Sequence, residues 1–341
     1  MDRIGSAIID FTEAAYDLGV SDDEWLPTIL RRGLPVLEQG LGVAGMRYGR
    51  PPEEGPFQLL DIHVASGPAD FAERHTRALA TTPPEVLREQ VRPGGAGTAS
   101  FDSRHDRAQL EHYTSHVDYC KDTIYITAVD CKGAGVAIIA PLAEVTTLTG
   151  RDAERWQMLA AHVDSGHRLR QELSAIDTDD KPCEELPHDA EAIFDVNSFR
   201  ITDAVGQAKE PTATERLREA AVAMDRARGK MRNTDPHEAL KIWKALVRGR
   251  WSMVDWFDTD GRRFVLALPN SPHIADPRGL TERESQVVAY AVLGQSNKLI
   301  AYRLGLSRSR VSMLLRCAMR KLNVQTRVQL VLKMREFQAM D

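Results

Sequence analysis

Near its carboxy terminus the chain sets a helix start, a glycine turn and a further helix start at a spacing that leaves little choice of fold. Thr281 and Glu284 form a T-x-x-E capping box ahead of an apolar pattern, Val287, Val288, Ala291 and Val292, which Gly294 ends. Ser296-Asn297 restart the chain, Lys298 to Leu304 reads as a short helix burying Ile300, Ala301 and Leu304, and Gly305 allows a sharp turn. Ser307 then caps a third helix predicted to reach Leu322. With 3.6 residues per turn, Val311, Leu314, Leu315, Ala318 and Leu322 fall on one side of it, and Ser309, Ser312, Met313, Arg316 and Arg320 on the other.

Short helix, glycine turn and longer helix make a helix-turn-helix layout, in which the longer helix enters a DNA major groove. On that reading Arg316, Ser309, Ser312 and Met313 are candidates for base edges, since arginine can bond guanine bidentately and methionine can touch a thymine methyl. Arg308, Arg310, Arg320, Lys321 and Lys298 flank the stripe and are expected at phosphates. Charge agrees with this. Leu280 to Asp341 holds eleven Lys or Arg against four Asp or Glu, a net of +7 in a chain of -5, so residues 1 to 279 carry -12. A basic tail on an acidic body is the footprint of a nucleic-acid module joined to something else.

The same residues carry a family resemblance. Leu280-Thr281-Glu282-Arg283-Glu284, Gly294 through Ala301, Leu306-Ser307, Val311, and Arg320-Lys321-Leu322-Asn323-Val324 with Arg327 resemble the LuxR-type DNA-binding domain. The resemblance implies an all-α domain of four helices whose last, Thr326 to Met334, mediates dimerisation, with Val328, Leu330, Val331 and Leu332 as candidate contacts. It also implies a transcription regulator that binds double-stranded DNA as a homodimer, with RNA polymerase as a further partner. Leu299 stands where the family commonly has glutamate. Arg310, Ser312 and Leu314 stand where it favours threonine, lysine and histidine, so the target sequence is expected to be this chain's own.

The rest of the chain must account for 279 residues. At 341 residues, 43% hydrophobic and 27% charged, the chain can bury a sizeable core and divides more naturally into two or three domains than one. Cys120, Cys131, Cys183 and Cys317 form no C-x-x-C pair, Met1-Asp2-Arg3-Ile4 lacks a leader's pattern, and apolar runs such as Gly135 to Leu142 are too short to span a membrane. The expected place is the cytoplasm, at the nucleoid, with no membrane partner. Charge and proline at Asp177-Thr178-Asp179-Asp180-Lys181-Pro182 and at Pro269 through Gly279 mark linkers over 179–189 and 271–279, giving units 1–178, 190–270 and 280–341.

In the first unit, helical patterns over Gly5 to Leu18 and Asp23 to Leu37 precede strand patterns at Val43 to Tyr48 and Gln58 to Val64. Helical stretches over Ala69 to Arg92 and Arg107 to Tyr119 lead to strands Thr123 to Val129 and Gly135 to Ala140, and a long helix from Asp152 to Leu173 closes the unit. This is an α+β order. With Gly133-Ala134-Gly135-Val136-Ala137-Ile138-Ile139 feeding the last helix, it resembles the GAF family of ligand-sensing domains. In the second unit, a hairpin around Asn197-Ser198, two helices and a hairpin turning on Asp258-Thr259-Asp260-Gly261 are similar to a small PAS-like module. Asp235, Pro236 and Glu238 specify the start of its second helix, and Trp243, Trp251 and Trp256 are expected to form its core.

These resemblances imply a sensor for a small molecule or protein effector, with no cofactor required. A phosphoreceiver's acidic cluster and a G-x-x-x-x-G-K-[ST] loop are both missing from the sequence, and Gly94-Gly95-Ala96-Gly97 reads as a plain loop. Two alternatives stand beside the regulator. His112, His116 and Cys120 recur every four residues of a predicted helix and could offer metal or haem ligands for a redox or metal sensor, although chance pairing among ten histidines is the commoner origin of such spacing. A ligand-processing enzyme or a scaffold, with the tail as DNA anchor or dimerisation module, is the other. The paired acids Glu53-Glu54, Asp179-Asp180 and Glu184-Glu185 lie in loop patterns without a nucleophile and base, so no catalytic residue is expected.

Overall fold

The computed structural model describes residues 3–49, 58–82, 95–102, 111, 114–129, 134–175, 186–243, 245–247, 251–269, 280–322 and 324–338. By packing, the chain forms two compact units, Met1–Asp177 with Asp225–Trp243, and Thr178–Met224 with Lys244–Asp341.

In the first unit, β1 (Val43–Tyr48), β2 (Leu59–Ser66), β3 (Gly95–Thr98), β4 (Asp122–Val129) and β5 (Gly135–Leu142) form an antiparallel sheet in the order β2-β1-β5-β4-β3. Every residue of the central β5 is buried, as its unbroken apolar run requires of a strand covered on both faces. Of the expected loop Gly94-Gly95-Ala96-Gly97, Gly94 lies outside the described residues and the rest is not a loop: Gly95–Thr98 is the edge strand β3. Its small residues let the long helix lie close enough for Gln157 to donate to the Ala96 carbonyl.

That helix, α4 (Gly150–Ala175), packs against β3, β4 and α1 (Arg3–Ala15), while α2 (Asp22–Leu37) packs beside α1; α3 (Phe71–Thr81) lies by β2. Trp156, Leu159, Ala160, Val163 and Leu169 are buried as their spacing predicts, and so are the polar His162, Ser165, His167 and Arg170. Ser165 Oγ donates to the Ala161 carbonyl at 2.8 Å, and the His167 ring stacks on Trp25 at 5.9 Å. His162 Nδ1 lies 2.9 Å from the Tyr16 hydroxyl, and Arg170 donates to Asp22 at 2.9 Å and to the Asp17 carbonyl at 2.8 Å. Gly166 is required where α1 ends, because a Cβ there would sit 2.1 Å from the Ala15 carbonyl oxygen.

The stretch Asp225–Trp243 belongs to this first unit although it lies inside the 190–270 segment. Arg228 pairs with Glu13, Arg232 with Asp10 and, at 3.9 Å, with Glu13, and His237 Nε2 lies 3.7 Å from Glu154. Trp243, expected to share a core with Trp251 and Trp256, is instead buried in this unit, with the Arg228 guanidinium 5.2 Å above its ring. Asp235 caps α6 (Pro236–Ile242), which follows α5 (Pro211–Arg226) in the chain, through the Glu238 amide at 3.1 Å, as the sequence specifies.

The second unit holds β6 (Ala192–Asp195), β7 (Ile201–Ala204), β8 (Leu246–Val247), β9 (Trp251–Phe257) and β10 (Arg263–Pro269), antiparallel in the order β7-β6-β10-β9-β8. Counted from its own first strand, this is the order of the first sheet, so one topology is used twice. The β9–β10 turn closes where Asp258 accepts from the Asp260 and Arg262 amides and Gly261 takes φ +74°. Trp251 is buried and donates to Glu191 at 2.7 Å.

Candidate nucleic-acid interface

The carboxy-terminal residues of the second unit form α7 (Glu282–Val292), α8 (Asn297–Leu304), α9 (Arg308–Lys321) and α10 (Arg327–Gln338). Each start is fixed by a side chain. The Thr281 hydroxyl accepts from the Glu284 amide at 3.3 Å and Glu284 accepts from the Thr281 amide at 2.8 Å, completing the capping box. Ser296 caps α8 and Ser307 caps α9, accepting from the Leu299 and Arg310 amides at 3.3 and 3.2 Å. Between them Gly305 takes the left-handed φ of +60°, which turns the chain sharply enough to cross α9 over α8.

The apolar stripe of α9, Val311, Leu314, Leu315, Ala318 and Leu322, is buried with Val287, Val288, Ala291, Ile300 and Leu304 in one core. Two arginines serve the scaffold. Arg303 is buried with its guanidinium 5.2 Å over Tyr290, and Arg327 donates to the Ala291 carbonyl at 3.4 Å and to that of Gln295, capping the end of α7. Desolvation holds Arg327 below its ordinary pKa.

On the opposite side, Arg308, Ser309 and Arg310 are exposed at the start of α9, and Met313, Arg316 and Arg320 are exposed farther along. Lys298 is exposed in the first turn of α8. Lys321 ends α9, and its side chain lies outside the described residues. Ser312 differs from the rest of its stripe: it is half-buried, and its Oγ accepts a 3.0 Å hydrogen bond from Asn297 Nδ2. Sequence reasoning missed Asn297, because the bond joins residues 15 apart on two helices and no periodicity reports it. Asn297, Ser312, Arg316, Arg320 and Gln325 line a recess of about 530 Å3 with Leu315, Met319 and Val324 as its apolar wall.

The donors here are of one kind. Exposed guanidinium groups and hydroxyls along α9 and an exposed lysine ammonium on α8, with no carboxylate among these candidates, are suited to phosphate oxygens and the acceptors of base edges. Residues 278–334 match the family model described as bacterial regulatory proteins, luxR family. The carboxy-terminal domain is a LuxR-family helix-turn-helix domain. No curated protein matches the chain.

In this LuxR-family domain the four residues named for dimerisation separate. Val328 and Leu332 are 69% and 55% exposed, Val331 is half-buried, and Leu330 is fully buried in the domain's own core, so Leu330 is removed from the surface. Helical spacing sets Leu330 with Met334 on one face and Val328 with Leu332 on another, and packing decides that the first is the buried one.

The metal-ligand expectation in the first unit does not hold as a helix face. His112 lies outside the described residues, and helix gives way to a bend and turn at Val117–Tyr119 before Cys120. Cys120 packs with Ala78 and Val117, and burial pushes its thiol up to about 11, while His116 Nε2 lies 3.1 Å from the Thr81 hydroxyl. Among the described residues no three His, Cys, Asp or Glu side chains are grouped to hold a metal, and no helix is long and apolar enough to cross a membrane.

Proposed function

We propose that this chain is a sequence-specific DNA-binding transcription regulator whose amino-terminal domains sense a small molecule or protein effector and control the LuxR-family reader. The observation that carries the reading is the division of α9 into a buried apolar stripe and an exposed cationic one within that domain. Met313 and Arg316 read base edges, with Ser309 and Ser312 beside them; Lys298, Arg308, Arg310, Arg320 and Lys321 meet phosphates. A second copy docks through Val328 and Leu332, so the operator is two-fold, with half-sites about one helical turn apart.

The sensor reading draws on the repeated strand order, which gives the GAF-like 1–178 and PAS-like 190–270 segments comparable sheets. RNA polymerase is the expected downstream partner, in the cytoplasm at the nucleoid, and the role asks no catalysis of the chain. Genome-wide mapping of bound DNA in the native host, repeated with Arg316→Ala, tests the reading. A recurring two-fold motif that disappears in the variant supports it; equal, motif-free enrichment for both proteins overturns it.

A further inference from the structure

Resting on that reading, we propose that Asn297 is a positioning residue that fixes the Ser312 hydroxyl as a hydrogen-bond donor toward a base acceptor in the major groove, and so against cytosine. A serine hydroxyl carries one proton and two lone pairs. Asn297 Nδ2 donates to Ser312 Oγ at 3.0 Å, so one lone pair is occupied and the proton cannot point at Asn297. It is directed instead to the open side, where the recess shared by both residues is lined by Arg316 and Arg320. Guanidinium groups only donate, so this part of α9 offers protons throughout.

Asn297 Oδ1 is buried without a hydrogen-bond partner among the described residues. An orphaned buried acceptor is a cost, and Asn297 bears it beside the bond that its Nδ2 gives Ser312. The pairing also depends on serine. A lysine at 312 has no acceptor and could not take that bond.

Base chemistry then sets the preference. Guanine presents N7 and O6, adenine N7 and thymine O4 as acceptors, whereas cytosine offers only its N4 donor in the major groove. A serine fixed as donor, one turn from an arginine, discriminates against cytosine at the base it reaches.

The test uses the full-length chain on a randomised duplex pool, comparing the wild type with Asn297→Ala, Asn297→Asp, Ser312→Ala, Ser312→Thr and the double alanine variant. Either single alanine variant is expected to lose about fivefold affinity for the selected site, the equivalent of one net hydrogen bond. Both are expected to relax preference at the same base pair, the double variant to be no worse than Ser312→Ala, and Ser312→Thr to keep the wild-type preference. Asn297→Asp, whose carboxylate must accept from the hydroxyl, is expected to turn its lone pairs outward and shift preference at that base toward cytosine. Thermal unfolding identifies any misfolded Asn297 variant, and half-buried Ser312 supplies the independent one. Additive losses, a cytosine at that base in the wild-type motif, or a loss spread evenly over all sequences, the mark of a phosphate contact, overturn the proposal. A wild type that selects no sequence overturns the regulator reading instead.

Discussion

Arg316 is exposed one helical turn from both Ser312 and Arg320, so its side chain extends from the middle of the recognition helix. Arg316→Ala is expected to lower discrimination at one base pair by about 1–3 kcal/mol, roughly 5- to 150-fold, measured by competition between duplexes. Lys298→Ala, at an expected phosphate contact, should weaken all duplexes alike and reduce the slope of log affinity against log salt by about 1. A salt-independent loss would sink the phosphate assignment. At His75 burial dominates: the ring is 1% exposed, stacked on Phe71 at 4.1 Å, and desolvation lowers its pKa from 6.5 to about 4. Between those values the unfolded chain takes up a proton that the folded chain refuses. Its stability contribution is therefore intact above about pH 6.5 and lost as pH falls toward 4, by about 3 kcal/mol at 1.36 kcal/mol per unit. Urea unfolding at pH 7 and pH 4.5, with His75→Leu as control, checks this; an equal fall in both proteins would assign the loss elsewhere.

Among the elements, α7, α8 and α9 were legible because their starts and stops are written locally: each cap bonds an amide three residues on, and Gly305 ends α8 within its own turn. The strand β3 was not. Its glycines carry a turn signal, and the pairing of Gly95–Thr98 with Ile124–Thr127 is decided by a strand nearly thirty residues away. The closeness of α4 to α1 was equally hidden, since Gly166 looks like an ordinary mid-helix glycine until Ala15 lies against it. Gly166→Ala should therefore destabilise the first unit by about 2 kcal/mol, as overpacking does, even though alanine is the better helix former. Chemical denaturation reads this, and a gain in stability would contradict the close approach.

Across the whole molecule, the acidic front and basic tail are properties of composition, and the alternation of apolar and cationic residues on α9 follows from helical period alone. The exposed pair Val328 and Leu332 gives the dimer proposal its measurement: Leu332→Glu with Val328→Glu is expected to shift the chain from dimer to monomer by light scattering, with folding retained because neither side chain is in the core. An unchanged mass would place the dimer contact elsewhere. By itself the sequence determined the reader domain, its caps, its two faces and the strands of strongest apolar pattern, because those depend on neighbours within about one helical turn or one strand alternation. Only the tertiary structure decided that Asp225–Trp243 joins the first unit through Arg228, Arg232 and Trp243, that Leu330 lies inside, that Cys120 leaves the helix, and that Asn297 holds Ser312. Those are meetings of residues distant in sequence or choices between burial and exposure, and no local period encodes them.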